Sequence, residues 1–335
     1  MTFCALSSAK GMDIKMKNIK TVAVLGAGAV GSYVIWGLSN NKEIKLGVVA
    51  SGERKERLKK EGCIINGVKY TPHVWTPQEA KNVDLLIVAL KYGSLLGALE
   101  DIKTVVGENT IVMSLMNGVD SEEIIAGEID RSHILYSFIK VASHKEADGY
   151  HFDPETTVGI YIGELEEPYE SERIKAVNAI FENTGIHWTV TQYILEEIWG
   201  KYRLNICNNL PQAILGAGVG CYEDSKHMGA IREGLKREVE AVAKAKGIDL
   251  SIIESKSSRG SAVKASARYS TLQDLDAGRH TEIDMFSGAM VRMGRELGIS
   301  TPYNEYTYHM IKAMEEKNDG LFEYNGTDDK ITWSK

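Results

Sequence analysis

Short apolar runs alternate with helical patterns through the N-terminal part of the chain. The run Thr21–Leu25 has the composition of a buried strand, and a glycine-rich turn and a helical pattern over residues 30–38 follow it directly. Residues 45–50 form a second strand-like run. Residues 84–90 and 110–115 form two more, each bounded like a parallel strand that is covered on both faces. With right-handed crossovers, this alternation predicts a doubly wound parallel sheet of the α/β class.

Smaller β features accompany these runs. Asn66-Gly67 separates Cys63–Ile65 from Val68–Tyr70, which is the strongest short pattern for a β-hairpin. Residues 54–60 predict a charged surface helix. Residues 135–141 and 158–162 predict two late strands, for which an antiparallel arrangement is left open.

The β pattern ends near residue 192, and long helical patterns follow it. The predicted helices cover residues 194–208, 228–246, 281–297 and 302–317. We therefore predict two domains, which fits the length of the chain. They are an α/β domain over residues 20–190 and an all-helical domain over residues 191–320, with a disordered extension at residues 1–19 and a polar tail at residues 321–335.

Composition and charge restrict the class of protein. Apolar residues make up 43% and charged residues 25% of the chain, as in ordinary globular proteins. The net charge of −7 excludes a generally basic nucleic-acid binder. The apolar runs are far shorter than the ~18 residues of a membrane span, so we expect no membrane partner. The four cysteines form no C-x-x-C pair and predict reduced thiols in a cytoplasmic protein: Cys4, Cys63, Cys207 and Cys221.

A glycine-rich turn after the first predicted strand carries a dinucleotide-binding pattern. The turn consists of Gly26, Ala27, Gly28, Ala29, Val30 and Gly31. Its G-x-G-x-x-G pattern is weak evidence alone, but here it follows a strand and opens a helix, as the fingerprint requires. Gly26 permits the tight turn, Gly28 allows close approach of a pyrophosphate, and Gly31 allows close packing of helix and strand. A purely structural glycine turn is the alternative.

The end of the second predicted strand bears on the choice of cofactor. NAD sites usually place an acid there to hold the ribose hydroxyls. Here Ser51 and Gly52 stand at that position, and Glu53, Arg54 and Lys55 follow. Ser51 and Arg54 could bind a 2′-phosphate, which favours NADP. Because Glu53 is an acid close to this position, NAD remains an alternative cofactor. Arg54 and Lys55 could also simply belong to a solvent-exposed helix face.

Two further polar residues stand at ends of predicted strands. Lys91 follows residues 84–90, and Asn117 follows residues 110–115 after Met116. Open α/β sheets bind ligands at the carboxyl ends of their strands, so both side chains are candidates for contact with a nicotinamide. An isolated lysine at a strand end is usually a solvated loop residue. A lysine and an asparagine at equivalent ends of two strands favour a functional role for both.

Polar residues also form a stripe on a helix of the C-terminal part. Lys201, Asn205 and Asn209 have i, i+4, i+8 spacing, which predicts that they lie on one side of a regular helix. Buried polar groups need partners, so this stripe either faces solvent or lines a polar pocket. Ammonium and amide groups would suit a ligand with a keto group, a carboxylate and a hydroxyl.

The last candidate group is Ser270, Asp274 and Glu282. Ser270 precedes a polar loop, and Glu282 is predicted to begin a helix, where the helix dipole alone would explain an acid. His280 is expected to be a surface or capping residue rather than a base. The sequence shows no metal-ligand spacing, so we expect no metal.

Together these motifs resemble the ketopantoate reductase (2-dehydropantoate 2-reductase) family, whose members depend on NADPH. The matching pieces run in the family's order from residue 21 to about residue 317. They are GAGAVG at residues 26–31, Leu90-Lys91, Asn117-Gly118, Lys201-x3-Asn205-x3-Asn209 and S-x3-D-x7-E-I-D from Ser270 to Asp284. The C-terminal combination is much more specific than the glycine turn. The resemblance implies a Rossmann domain followed by a helical domain of the 6-phosphogluconate-dehydrogenase type.

The resemblance also implies roles for the matching residues. Lys201 would be the catalytic lysine and Glu282 the active-site glutamate. Asn205, Asn209 and Ser270 would bind the substrate, while Lys91 and Asn117 would contact the nicotinamide end of NADP(H). Two positions depart from the family: members commonly have Arg where this chain has Ser51, and some have Gln where it has Ser94.

The implied activity is the NADPH-dependent reduction of ketopantoate to pantoate, as in pantothenate and coenzyme A biosynthesis, by a monomer or a homodimer. One alternative is a reductase of another 2-keto acid on the same fold. The other is a non-catalytic NADP-sensing protein, which would not need the lysine, the asparagines, the serine and the glutamate together.

Overall fold

The computed structural model describes residues 18–254 and 264–322. Residues 1–17 of the predicted extension and 323–335 of the predicted tail lie outside these ranges. The chain divides into two compact units, which we name the sheet unit and the helical unit. Within the described ranges, the sheet unit comprises residues 18–90, 97–115 and 125–192, and the helical unit comprises residues 91–96, 116–124, 193–254 and 264–322.

The sheet unit contains a parallel sheet of five strands and two smaller sheets. Its strands are β1 (Thr21–Leu25), β2 (Lys45–Val49), β3 (Cys63–Ile65), β4 (Val68–Tyr70), β5 (His73–Trp75), β6 (Leu85–Val88), β7 (Ile111–Ser114), β8 (Tyr136–Lys140), β9 (His144–Glu146), β10 (Gly149–His151), β11 (Gly159–Gly163) and β12 (Trp188–Val190). The five-stranded sheet has the order β5-β2-β1-β6-β7 with every pair parallel. The order reverses between β1 and β6, which is the Rossmann arrangement and confirms the predicted doubly wound sheet.

The smaller sheets contain the predicted hairpin and the late strands. In the hairpin Ile65 pairs with Val68, and Asn66 and Gly67 adopt φ values of 49° and 74°, as a type I′ turn requires. β8 and β11 pair antiparallel, as the sequence left open. Some short strands lacked a pattern that predicted them: β5, β9, β10 and β12.

The helices are α1 (Ala29–Leu38), α2 (Gly52–Glu61), α3 (Leu95–Val105), α4 (Ser121–Ile125), α5 (Glu172–Phe181), α6 (Ile194–Leu204), α7 (Leu210–Leu215), α8 (Cys221–Asp224), α9 (Lys226–Ala245), α10 (Ser251–Glu254), α11 (Ser270–Asp276), α12 (Ala289–Leu297) and α13 (Pro302–Asn318). Within the described ranges, none of them is long and apolar enough to cross a bilayer.

Each unit has its own apolar core. In the sheet unit, aliphatic side chains of the central strands pack around Tyr33, and Phe152 meets the Tyr33 ring edge-on at 5.2 Å between centroids. In the helical unit, the core is built around Tyr202 and Phe286, which are almost fully buried. Burial of apolar surface on this scale is the main stabilising contribution in both units.

Two of the helix predictions were wrong in one respect, because a π turn interrupts the first helix and begins the second. Residues 194–208 do not form one regular helix: α6 ends at Leu204, and the π turn Asn205–Asn209 connects it to α7. Pro211 has no N–H group to bond the carbonyl of Cys207, and a wider turn accommodates such an interruption.

The second π turn lies in the segment predicted as a helix over residues 281–297. The π turn Asp284–Gly288 precedes α12, and the N–H of Gly288 bonds the carbonyl of Ile283, five residues back, at 3.0 Å. Glu282 therefore lies before the helical segment rather than in its first turn. π turns inside helices are frequent at functional sites.

Candidate active site

The glycine turn of the sheet unit has the close contacts that require glycine. Gly26 has a φ of 109°, and a Cβ there would lie 2.5 Å from the carbonyl oxygen of Ala89. A Cβ on Gly31 would lie 1.9 Å from the carbonyl oxygen of Gly26. Both distances are shorter than any real contact, so the turn can pack this closely against α1 and the end of β6 only without these side chains.

The same turn offers space and N–H groups to a phosphate. A Cβ on Gly28 would meet nothing within 4 Å, so the space beside this residue is open. Helix α1 begins at Ala29, and its first turn carries neither an acidic side chain nor a side-chain cap. The free N–H groups and the partial positive charge of a helix N-terminus favour an anion. The residues of this turn therefore fit the pyrophosphate of a dinucleotide.

The residues after β2 are arranged around the start of α2. Ser51 is the exposed N-cap residue of α2, without a capping hydrogen bond from its side chain, and Arg54 is exposed in the first turn. Lys55 makes an ion pair with Glu79, and this pair holds the pKa of the Glu79 carboxyl down at about 2. Lys55 is thus engaged, and Ser51 and Arg54 remain the candidates for a 2′-phosphate.

A hydrogen-bonded group of three polar residues lies within the helical unit. The Lys201 ammonium donates to Oδ1 of Asn117 at 2.7 Å, and Nδ2 of Asn117 donates to Oε2 of Glu282 at 3.1 Å. Because an ammonium only donates and a carboxylate accepts, both contacts fix which way the amide points. We call this chain of contacts the Lys201 relay. It joins three residues that are far apart in sequence.

Close packing holds the members of the relay in place. The residue after Lys201 is Tyr202, whose buried hydroxyl donates to the carbonyl of Phe286 at 2.7 Å. The residue after Asn117 is Gly118, with a φ of 94°, and a Cβ there would lie 2.7 Å from Cγ of Met285. The Asn117 loop and α6 therefore both pack against the π turn that follows Glu282.

The two asparagines of the predicted stripe stay together despite the π turn. Asn205 and Asn209 stand at its two ends, and Nδ2 of Asn209 donates to Oδ1 of Asn205 at 3.3 Å. Asn209 is buried, whereas Asn205 is partly exposed. The wider turn displaces the later residues from the regular i, i+4, i+8 line predicted from the sequence.

Lys91 and Ser270 belong to a second group in the helical unit. The ammonium of Lys91 is exposed and lies 3.7 Å from Oδ2 of Asp274. The other oxygen of this carboxylate, Oδ1, accepts a hydrogen bond from Nε of Arg279 at 2.8 Å. Ser270 is the exposed first residue of α11, the helix that carries Asp274 one turn later. An ion pair this exposed contributes little to stability.

Sequence reasoning missed three polar residues beside the relay: Tyr92, Asp120 and Arg292. The backbone N–H of Tyr92 donates to Oε1 of Glu282 at 3.3 Å, and its hydroxyl donates to Oδ2 of Asp120 at 2.8 Å. Asp120 follows Asn117 by three residues, and Arg292 lies in α12. Their positions beside the motif residues Lys91 and Asn117 could have pointed to Tyr92 and Asp120, whereas no sequence pattern pointed to Arg292.

Comparison with known proteins gives the family. The family model described as ketopantoate reductase PanE/ApbA matches residues 22–167, and its C-terminal counterpart matches residues 193–315. A 2-dehydropantoate 2-reductase of Pyrococcus horikoshii is 28% identical over 305 residues, which cover 89% of this chain and 99% of the relative. That of Archaeoglobus fulgidus is 25% identical over 314 residues, covering 89% and 99% of the two chains.

Solved structures share the fold. A PanE/ApbA family ketopantoate reductase from Ralstonia eutropha superimposes with a TM-score of 0.75 at 22% identity, covering 89% of this chain and 99% of its own. A D-mandelate dehydrogenase in a ternary structure with NADH and anilino(oxo)acetate gives 0.76 at 22% identity, with the same coverage.

The Rossmann sheet with its glycine turn, the helical unit and these matches define a pyridine-nucleotide-dependent oxidoreductase. Two family models cover most of its length in the expected order. Within that class, the chain belongs to the ketopantoate reductase family.

Proposed function

We propose that the protein reduces 2-dehydropantoate (ketopantoate) to pantoate with NADPH, a step that leads to pantothenate and coenzyme A. The observation that carries this proposal is the Lys201 relay, in which an ammonium is held by an amide that a carboxylate orients in turn. Curated relatives of the chain are named 2-dehydropantoate 2-reductase, which supports the choice of substrate.

In this mechanism Lys201 is the proton donor. NADPH, when bound, supplies a hydride to the C2 carbonyl carbon of the substrate. The ammonium of Lys201 stabilises the negative charge that develops on the carbonyl oxygen and gives it a proton, so that the product is a hydroxyl group. Lysine ammonium groups are ordinarily protonated near neutral pH, and solvent returns the proton after each turnover. Glu282 acts through Asn117 to keep the ammonium in position.

The remaining predicted residues bind and orient. Asn205, Asn209 and Ser270 would hold the carboxylate and the hydroxyl of the substrate, which accelerates the reaction by positioning. Lys91 and Asn117 would contact the nicotinamide end of the cofactor. The glycine turn, Gly26, Ala27, Gly28, Ala29, Val30 and Gly31, would hold the pyrophosphate, while Ser51 and Arg54 would hold the 2′-phosphate of NADP(H).

Other features of the proposal rest on the family. We expect a cytoplasmic monomer or homodimer that acts on a small 2-keto acid and uses no metal. A structural neighbour from Staphylococcus aureus is described as a dimeric ketopantoate reductase, with a TM-score of 0.68 at 17% identity.

The experiment that tests the proposal follows the loss of NADPH absorbance with purified protein. Ketopantoate is compared with a panel of smaller and aromatic 2-keto acids, and NADPH with NADH. Fast NADPH-dependent turnover confined to ketopantoate is the expected result. Turnover on another 2-keto acid would overturn ketopantoate as the substrate but would keep the proposed reduction mechanism. Binding of NADPH without turnover on any acid would support the non-catalytic sensor instead.

A further inference from the structure

Three segments of the helical unit meet beside the Lys201 relay, and each carries a residue that contacts the other two. Lys91–Leu96 contributes the backbone N–H of Tyr92 to Glu282 and the hydroxyl of Tyr92 to Asp120. Met116–Ile124 contributes Asn117 to the relay and Asp120 to the tyrosine. The segment from the π turn into α12 follows Glu282 and contributes Arg292.

Arg292 contacts both Tyr92 and Asp120. Its Nη2 donates to the hydroxyl oxygen of Tyr92 at 3.0 Å and lies 3.4 Å from Oδ2 of Asp120. The phenol, the carboxylate and the guanidinium therefore contact one another pairwise. Each of these three segments thus carries one member of this second set.

Burial makes these contacts costly to lose. Asp120 exposes 22% of its side chain, and burial raises the pKa of its carboxyl, a rise that the Tyr92 hydroxyl and the Arg292 charge oppose. Burial and the nearby Asp120 charge also raise the pKa of the Tyr92 phenol above its ordinary value, so it remains a hydrogen-bond donor. A buried carboxylate that loses one of two such partners is left poorly compensated.

We propose that Tyr92, Asp120 and Arg292 form a positioning triad that aligns Asn117 and Glu282 on the Lys201 ammonium. This inference rests on the proposed function, because it assigns the triad a role in the same proton donation. The triad acts at a distance: Asp120 fixes the loop three residues after Asn117, and Tyr92 fixes the N–H group that Glu282 accepts. None of its members is assigned a contact with substrate or cofactor.

The test removes the single hydroxyl that joins the triad. Tyr92→Phe should lower kcat roughly tenfold, about the value of one hydrogen bond to a charged group, while the KM for NADPH stays unchanged. Asp120→Asn, which keeps the shape of the side chain, should act in the same direction. Circular dichroism and thermal melting show whether each variant is folded.

Tyr308→Phe is the matched control, because it removes another phenol–carboxylate bond of the helical unit, the 2.9 Å contact with Asp284. Its kcat should equal that of the wild type. If Tyr308→Phe lowers kcat as much as Tyr92→Phe, the effect is general loosening of the unit and the triad is overturned.

A double-mutant cycle with Asn117→Ala separates positioning from general damage. If the triad acts through Asn117, Tyr92→Phe has little further effect on kcat in the Asn117→Ala background. Independent, multiplying losses would overturn the triad, as would wild-type kcat in Tyr92→Phe. Wild-type kcat in Asn117→Ala would instead remove the relay from the proposed function. Failure of the inference and failure of the function therefore give different results.

Discussion

Single side chains decide both the chemistry and the choice of cofactor. In the relay, Glu282 accepts from the Asn117 amide, and the amide oxygen accepts from the Lys201 ammonium, so the amide links the carboxylate to the cation. After β2, the engagement of Lys55 by Glu79 leaves Arg54 as the cation available to a 2′-phosphate.

Arg54 gives a prediction about cofactor choice. Arg54→Ala should raise the Kd for NADPH roughly tenfold, because a charge-assisted hydrogen bond to phosphate is lost, and should leave the Kd for NADH nearly unchanged. Fluorescence titration with each nucleotide measures both constants. Arg57→Ala, on the same exposed helix, is the control. Equal losses for the two nucleotides would show that Arg54 does not contact the 2′-phosphate.

At the scale of secondary-structure elements, glycine contacts and π turns shape the site. The strand, glycine turn and helix at residues 21–38 were predictable, because periodicity and the glycine spacing are both local properties. The π turns were not, because they depend on Pro211 in one case and on packing against Gly118 in the other. The relay was predictable only as a set of candidates, since its hydrogen bonds join residues distant in sequence.

Alanine substitutions at Gly28 and Gly31 should have different effects: the first should weaken NADPH binding, and the second should lower the stability. Gly28→Ala should leave the stability within about 0.5 kcal/mol of wild type, because a Cβ there meets nothing within 4 Å. It should still raise the Kd for NADPH by roughly tenfold or more, because the methyl group occupies the space a pyrophosphate approaches. Gly31→Ala should destabilise the sheet unit by about 2 kcal/mol or more through its clash with Gly26.

Chemical denaturation and nucleotide titration distinguish these two effects. Gly229→Ala, at an open position of α9, is the control for both measurements. Wild-type affinity in Gly28→Ala would show that the cofactor does not approach the turn at this residue.

At the scale of the whole molecule, stability depends on a carboxyl group buried in the helical unit. Glu122 is 5% exposed, accepts a 2.7 Å hydrogen bond from Ser121, and has a pKa that burial raises to about 7. The unfolded chain ionises this group near pH 4.5. The protonated carboxyl therefore stabilises the folded state fully only below that pH. This stabilisation, about 3 kcal/mol in the free energy of unfolding, is lost as the pH rises through 7.

Glu122→Gln tests this dependence. At pH 8 the variant should be more stable than wild type by up to about 3 kcal/mol, because a neutral amide replaces a buried charge, and the gain should be much smaller at pH 5. Urea denaturation at both pH values measures the difference. Glu296→Gln, at an exposed position of α12, should show little change at either pH. A gain of the same size at pH 5 and pH 8 would contradict the raised pKa.

The most direct test of the account compares wild type with Lys201→Ala in the conversion of ketopantoate by NADPH, with the product identified by mass spectrometry. We expect the wild type to form one pantoate for each NADPH consumed. We also expect a kcat lower by roughly 10²–10⁴ in Lys201→Ala, the range for a lost proton donor, with NADPH binding retained. Wild-type kcat in the variant would contradict the central role of Lys201.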